Sequence, residues 1–113
     1  MKERDIQFEI REALGLEPGL VLYRNSVGVA REWDPKTHTQ RVIRYGLAPG
    51  SADLIGSYYG RFVGLEVKKP GEYPTKEQRM WADLLRNNGA HIVTVRSVED
   101  ARSAIDQLKR GAK

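Results

Sequence analysis

The segment GRFVGLEVKKPG, residues 60–71, has the pattern of an apolar β-strand that carries two charged residues within it. Glu66 and Lys68 are two positions apart, so an extended backbone directs both side chains to one face. The opposite face carries the aliphatic residues Val63, Leu65 and Val67. Charged side chains are costly to bury unless they are paired or hold an ion. One face of this strand is therefore predicted to be core, and the other is a candidate site for ionic chemistry.

The preceding segment, GSADLIGSYY, predicts the partner strand of a β-hairpin. If Tyr59 and Gly60 form a two-residue turn, the register places Asp53 directly opposite Glu66. Opposed residues project to the same face, so two carboxylates and a lysine are expected together there. A shift of one residue would divide the aliphatic side chains between both faces, which is the argument against a longer turn.

Opposed carboxylates such as Asp53 and Glu66 repel each other, because their Cβ atoms lie about 5 Å apart. A divalent cation between them would remove the repulsion, and oxygen ligands of this kind suit Mg²⁺ or Mn²⁺. Lys68 is then free to position or help deprotonate a water, or to stabilise charge on a phosphate oxygen. The residues alone leave a second interpretation open, in which Glu66 and Lys68 form a solvated ion pair worth less than about 1 kcal/mol.

The segments before this hairpin predict a helix and a flap. Residues 3–14 place Ile6, Ile10 and Leu14 at helical spacing. Residues 20–33 and 41–46 are rich in β-formers and are separated by the polar turn DPKTHTQ, which indicates a hairpin or flap.

The segments after the hairpin predict a helix, a strand and a final helix. Thr75 is a plausible N-cap for a helix over 75–88, with Gln78 as its capping-box partner. The apolar face of that helix is predicted to consist of Met80, Trp81, Leu84 and Leu85. A strand at 91–96 and a helix at 97–110 complete the chain. If the two strands flanking the 75–88 helix are parallel neighbours, they form a right-handed βαβ unit.

Together these elements predict one α/β domain over residues 1–113, with a mixed central β-sheet flanked by helices. The net charge of +4 favours an acidic partner such as nucleic acid. No apolar run is long enough to span a membrane, and MKERDIQFEI lacks the apolar core of a signal peptide. With no cysteine in the chain, we expect a cytoplasmic protein without a zinc site.

The order of these motifs resembles the PD-(D/E)XK nucleases and, among them, the VRR-NUC domains, which are virus-type replication and repair nucleases. GSADLIG is similar to the Gly-x-x-Asp-Leu strand of the family, and LEVKKPG is similar to its Glu-x-Lys strand. TKEQRMWADLLRNNGAHIVTVRS is similar to its glutamine-bearing helix and the strand that follows. The chain departs from the family's pattern at Ala52, where the family name has a proline. The resemblance implies a restriction-endonuclease-like core.

The resemblance also implies roles for individual residues. Asp53 and Glu66 would be metal ligands together with the Val67 carbonyl, Lys68 would be the catalytic lysine, and Gln78 would assist. Glu9 matches the acidic residue that many members carry on the first helix, although Glu3 and Glu12 lie on the same predicted helix.

The activity implied is that of a Mg²⁺- or Mn²⁺-dependent endonuclease acting on DNA, with branched DNA such as four-way junctions as substrate and a homodimer as the working form. Basic residues near the motifs are candidates for phosphate contacts: Arg41, Arg44, Arg61, Lys69, Lys76 and Arg79. Two alternatives stay open, a non-catalytic module that holds branched DNA for a partner and a restriction endonuclease whose 20–47 hairpin reads bases.

Overall fold

Residues 1–111, which the computed structural model describes, form three helices and six strands. In chain order these are α1 (Glu3–Leu14), β1 (Leu20–Arg24), β2 (Gly28–Asp34), β3 (Thr39–Tyr45), β4 (Leu54–Tyr58), β5 (Arg61–Val67), α2 (Lys76–Asn87), β6 (His91–Val95) and α3 (Val98–Gly111). The domain predicted for 1–113 extends two residues beyond this range. No helix in the described range is long and apolar enough to cross a membrane.

The central sheet has the strand order β1-β4-β5-β6. β1 pairs antiparallel with β4 and β4 pairs antiparallel with β5, whereas β5 and β6 are parallel. The sheet is therefore mixed, as predicted, and α2 connects its two parallel strands. α1 and α3 pack on one face of the sheet and α2 packs on the other, which confirms the predicted α/β fold class.

The β4–β5 hairpin has the predicted register, with Tyr58 paired to Arg61 and Leu54 paired to Leu65. Its turn residues Tyr59 and Gly60 both have positive φ, 45° and 85°, as a two-residue primed turn requires. Tyrosine is an unusual residue in such a turn. Contacts beyond the turn support it, because the Tyr59 ring packs edge-on against Tyr58 and lies over Gly19, where a Cβ would come within 2.2 Å of that ring.

The main core lies between the sheet and the helix pair α1 and α3. α1 contributes Ile6, Ile10 and Leu14, whose spacing of four residues forms one buried stripe. The β4–β5 hairpin contributes Leu54, Val63, Leu65 and Val67, all fully buried. The aliphatic face predicted for this hairpin is thus the face that packs on α1 and α3.

The second core cluster lies under α2 and corrects one prediction. Trp81 and Leu85 are partly buried against Ile92, and Phe62 meets Trp81 edge-on. Met80 and Leu84, which the sequence predicted to belong to the same apolar face, are instead exposed. Residues 80 and 84 form their own stripe on the helix, rotated about 100° from that of residues 81 and 85, and only one stripe can face the sheet.

The predicted flap also needs correction. The β-rich stretch 20–33 is two strands, because β1 joins the central sheet and only β2 pairs with β3. The break falls at Asn25, Ser26 and Val27. β2 and β3 form a separate two-stranded hairpin, and the described chain has a long axis of 56 Å against 32 Å and 27 Å for the others.

Candidate active site

Asp53 and Glu66 lie side by side where the β4–β5 hairpin ends. Asp53 directly precedes β4, and its Oδ2 accepts a hydrogen bond of 2.8 Å from the Val67 backbone N–H. The two carboxyl groups lie close enough for Asp53 to raise the pKa of Glu66. Glu66 is 6% exposed, on the face opposite the aliphatic core. The hairpin register therefore brings these two predicted residues together.

The environment of Glu66 strongly favours its protonated form. Burial removes water from the carboxylate, and the hydrogen bond and negative charge of Asp53 add to this effect. The ammonium of Lys68 opposes it only in part, so the pKa of Glu66 is raised to about 9. In the absence of a cation, Glu66 therefore keeps its proton at neutral pH.

Gln78 and Lys68 complete the immediate surroundings of Glu66. Gln78 Nε2 donates a hydrogen bond of 3.0 Å to Glu66 Oε1. Its Oε1 accepts from the Thr75 N–H, and its own N–H donates to Thr75 Oγ1, so the capping box that starts α2 also aims the Gln78 amide. Lys68 is 9% exposed and its backbone N–H bonds to the Val95 carbonyl of β6. Both predicted residues thus lie at Glu66.

An acidic residue from α1 approaches this group, and it is Glu3. The Glu3 side chain is hydrogen-bonded to Glu72, and the negative charges of Glu72 and Asp53 act on it. Burial is the largest of the influences that raise the pKa of Glu3, and Lys68 opposes them. The hydrogen bond from Glu3 lowers the pKa of Glu72 in turn, assisted by Lys69. The charge of Lys68 therefore acts on Glu3, Glu66 and Glu72, and Lys69 pairs with Glu72.

Glu9, the residue that the family pattern indicated on this helix, is exposed in a depression beside Lys69 and Arg96. At about 100° per residue, Glu3 and Glu9 lie about 60° to either side of Ile6, so they flank the buried stripe of α1 on opposite sides. The structure brings Glu3, and not Glu9, to Asp53. Sequence alone does not reveal which flank faces the site, because that depends on how α1 docks on the sheet.

Asn25 holds the loop that carries Asp53. Its Nδ2 donates to Ser51 Oγ at 2.7 Å and to the Ala52 carbonyl at 2.8 Å, and its Oδ1 accepts from the Leu47 N–H. Its backbone N–H donates to the Asp53 carbonyl at 2.7 Å. Asn25 was not predicted as a site residue, although a polar Asn-Ser pair inside a β-rich stretch is a signal for the break in which it lies.

A cleft of about 540 Å³ opens beside these residues. Asp53, Gln78 and Asn25 lie on its walls, together with Arg24 and Tyr45. The cleft lies between α2 and the base of the β2–β3 hairpin, since Val27 and Tyr45 belong to that base. A substrate in this space would reach Asp53 directly.

The donor set suits a hard cation such as Mg²⁺ or Mn²⁺ only in part. Asp53, Glu66 and the Val67 carbonyl offer oxygen atoms, which these ions prefer, and Asp53 and Glu66 are a carboxylate pair whose repulsion a cation would relieve. Within residues 1–111, no group of three or more His, Cys, Asp or Glu side chains is arranged to hold a metal ion. A cation here would thus depend on two carboxylates, a backbone carbonyl and water.

The predicted phosphate-contacting residues are dispersed. Arg61 begins β5, at the other end of the strand from Glu66, and donates to the Gly89 carbonyl. Arg41 pairs with Glu32 at 2.7 Å and Lys69 pairs with Glu72 at 3.2 Å. The others are exposed: Arg44 at the base of the β2–β3 hairpin, and Lys76 and Arg79 at the start of α2.

This arrangement of strands and helices occurs in a known structure. A structural match to a "VRR_NUC domain protein" covers 97% of this chain and 89% of the other, with a TM-score of 0.68 and 18% sequence identity. The chain shares the fold of that protein. The fold is therefore restriction-endonuclease-like, as the motif order predicted. No protein-family model matches the sequence, and no curated protein matches it.

Proposed function

We propose that this protein is a metal-dependent nuclease that hydrolyses phosphodiester bonds in DNA. The observation that carries the proposal is the pairing of Asp53 with Glu66 beside Lys68, in a fold shared with a VRR_NUC domain protein. The resemblance of the motifs to that nuclease family assigns its metal-binding and lysine positions to these same residues. A net charge of +4 suits a polyanionic substrate.

Each residue has a distinct task in this proposal. Asp53, Glu66 and the Val67 carbonyl would hold Mg²⁺ or Mn²⁺, which would supply Lewis acidity at the scissile phosphate. Lys68 keeps a positive charge beside the carboxylates, where it stabilises negative charge that develops on a phosphate oxygen or orients the attacking water. Gln78 holds Glu66 in place through its amide. Glu3 is proposed as the acidic residue that α1 contributes, in place of Glu9.

Branched DNA and a homodimer are the finer parts of the proposal. Two copies related by two-fold symmetry would present two sites, which suits the paired cuts that a four-way junction requires. Sedimentation velocity with and without a junction tests the dimer. A monomer under both conditions would remove the two-site arrangement from the proposal.

The test of the proposal is cleavage of end-labelled four-way junction, flap and linear duplex by the full chain in Mg²⁺, Mn²⁺ or EDTA. We expect metal-dependent cuts that are lost in Asp53→Asn and Glu66→Gln and retained in Glu99→Gln, which alters an exposed residue of α3. Cleavage that persists in Glu66→Gln would refute the site. Binding without cleavage in any metal would favour the non-catalytic module instead.

A further inference from the structure

The β2–β3 hairpin exposes side chains on both of its faces. It pairs with no other strand of the described chain, and every residue of β3 is exposed. Large apolar side chains are among those exposed, namely Val29, Trp33, Val42, Ile43 and Tyr45. An isolated two-stranded hairpin is marginally stable in water, so a ligand that covers one face would stabilise it.

The hairpin register divides its side chains into two faces of different charge. Opposed pairs share a face, and Val29 opposes Arg44, Arg31 opposes Val42, and Trp33 opposes Gln40. We call these six residues the basic face. The other face, here the mixed face, includes Ala30, Glu32, Asp34, Arg41, Ile43 and Tyr45.

The two faces differ in how their arginines are neutralised. On the mixed face, Arg41 pairs with Glu32 at 2.7 Å. The basic face has no carboxylate, and neither Arg31 nor Arg44 forms an ion pair within residues 1–111. Positive charge that the protein itself does not neutralise is therefore concentrated on one side of the hairpin.

The basic face is continuous with the catalytic cleft. Val29 and Arg44, its residues nearest the hairpin base, line a depression that also includes Val27, Gly50 and Glu77. All three of these also line the cleft that contains Asp53. A strand of DNA with its phosphate at Asp53 would thus reach Arg44 and Arg31 through these two adjoining depressions.

The charge of the basic face disfavours a second copy of the chain as its occupant. A two-fold contact of this face with itself would bring two Arg31 and two Arg44 side chains together without an acidic partner. The mixed face, which carries both signs of charge, lacks this obstacle. A polyanion suits the basic face because phosphates supply the missing negative charge.

Trp33 indicates which part of DNA this face would meet. Its indole is 60% exposed, and His38 packs edge-on against it at 6.2 Å between ring centroids. At about 3.4 Å per residue, Trp33 lies about 14 Å along the hairpin from Val29. An exposed indole stacks on a base only when the base has left the duplex stack, so this geometry fits DNA with unpaired bases.

We propose that the basic face is the surface that guides the substrate strand, with Arg31 and Arg44 on phosphates and Trp33 stacked on an unpaired base. This inference rests on the proposed function, because it takes DNA as the ligand. It makes the hairpin the element that distinguishes DNA with unpaired bases from continuous duplex, while Asp53 and Glu66 perform the chemistry.

The experiment measures, in EDTA, how tightly the full chain binds a flap and a continuous duplex. Each DNA carries one 2-aminopurine, which in the flap occupies the unpaired position. We expect Trp33→Leu to weaken flap binding about tenfold, with duplex binding changed less than about twofold. Quenching of the unpaired 2-aminopurine should be lost in Trp33→Leu and kept in Trp33→Phe. Ile43→Ala is the matched truncation on the mixed face and should bind both DNAs normally.

The arginines are tested by salt dependence. Arg31→Gln/Arg44→Gln should weaken binding to both DNAs and lower the slope of log K against log[salt] by about 2. Arg102→Gln/Arg110→Gln removes the same charge from α3, which contributes nothing to the cleft, and should leave the slope unchanged.

Three results would overturn the inference. Trp33→Leu could weaken flap and duplex binding equally, or Ile43→Ala could weaken flap binding as much as Trp33→Leu does. Sedimentation velocity could also show an altered oligomeric state in Trp33→Leu. The last would assign the face to a second copy. Because binding is measured without cleavage, a chain that cuts no DNA yet shows the Trp33 pattern would refute the nuclease and leave this inference standing.

Discussion

The proton that Glu66 keeps at neutral pH predicts an unusual pH dependence of stability. The pKa of Glu66 is raised in the folded protein from 4.5 to about 9, so between these values the folded state binds one proton more than the unfolded state. The free energy of unfolding must then fall as pH rises, by at most about 1.4 kcal/mol per pH unit for one proton. Glu66→Gln keeps the shape of the side chain and its contact with Gln78, but it removes the group that titrates.

We expect wild-type protein to lose about 2 kcal/mol between pH 6 and pH 8 in EDTA, and Glu66→Gln to lose much less and to be the more stable protein at pH 8. Urea unfolding followed by fluorescence and far-UV circular dichroism at pH 6, 7 and 8 measures this. Glu99→Gln, exposed on α3, is the control and should follow wild type. If the free energy of unfolding changed equally with pH in wild type and Glu66→Gln, the raised pKa of Glu66 would be refuted.

Three further predictions concern the cation, the sheet and the loop. A cation bound as proposed by Asp53 and Glu66 would displace the proton of Glu66. Apparent Mg²⁺ affinity, measured by calorimetry, should then rise up to about tenfold per pH unit between pH 6 and 8 and vanish in Asp53→Asn. Gly56→Ala should destabilise the fold by more than about 2 kcal/mol in urea unfolding, since its Cβ would lie 1.7 Å from the Val21 carbonyl oxygen; an unchanged midpoint would contradict this. Asn25→Ala should lower stability by about 1–3 kcal/mol and reduce the cleavage rate more than DNA binding, whereas equal loss of both would mean that Asn25 does not position Asp53.

The part of the fold predicted correctly from sequence is the part that depends on local patterns. The two-residue turn and the alternation of aliphatic residues fix the β4–β5 register, because a shift of one residue moves Leu65 and its neighbours to the wrong face. The same register determines that Asp53 lies next to Glu66. The capping box of α2 likewise follows from Thr75 and Gln78 alone.

The parts that sequence did not predict depend on contacts between distant elements. Residues 20–24 and 28–34 have similar β-propensity, and only the presence of β4 assigns the first group to the central sheet. α2 carries two apolar stripes, and the packing of Trp81 and Leu85 on Ile92 of β6 shows which stripe is buried. Glu3 reaches the site only because α1 docks on the sheet with that flank toward Lys68.

Because Asn25 joins the two ends of the segment that carries the β2–β3 hairpin, a different hairpin could be inserted between them. The Asn25 Oδ1 accepts a hydrogen bond from the Leu47 N–H. The backbone of Gly46 lies so close to Ser26 that a Cβ at residue 46 would be 2.6 Å from the Ser26 carbonyl oxygen. The chain thus leaves and re-enters the core at one point. In the function proposed above, a different hairpin grafted between these ends would change the DNA that is bound, whereas Asp53 and Glu66, which lie outside the graft, would be kept.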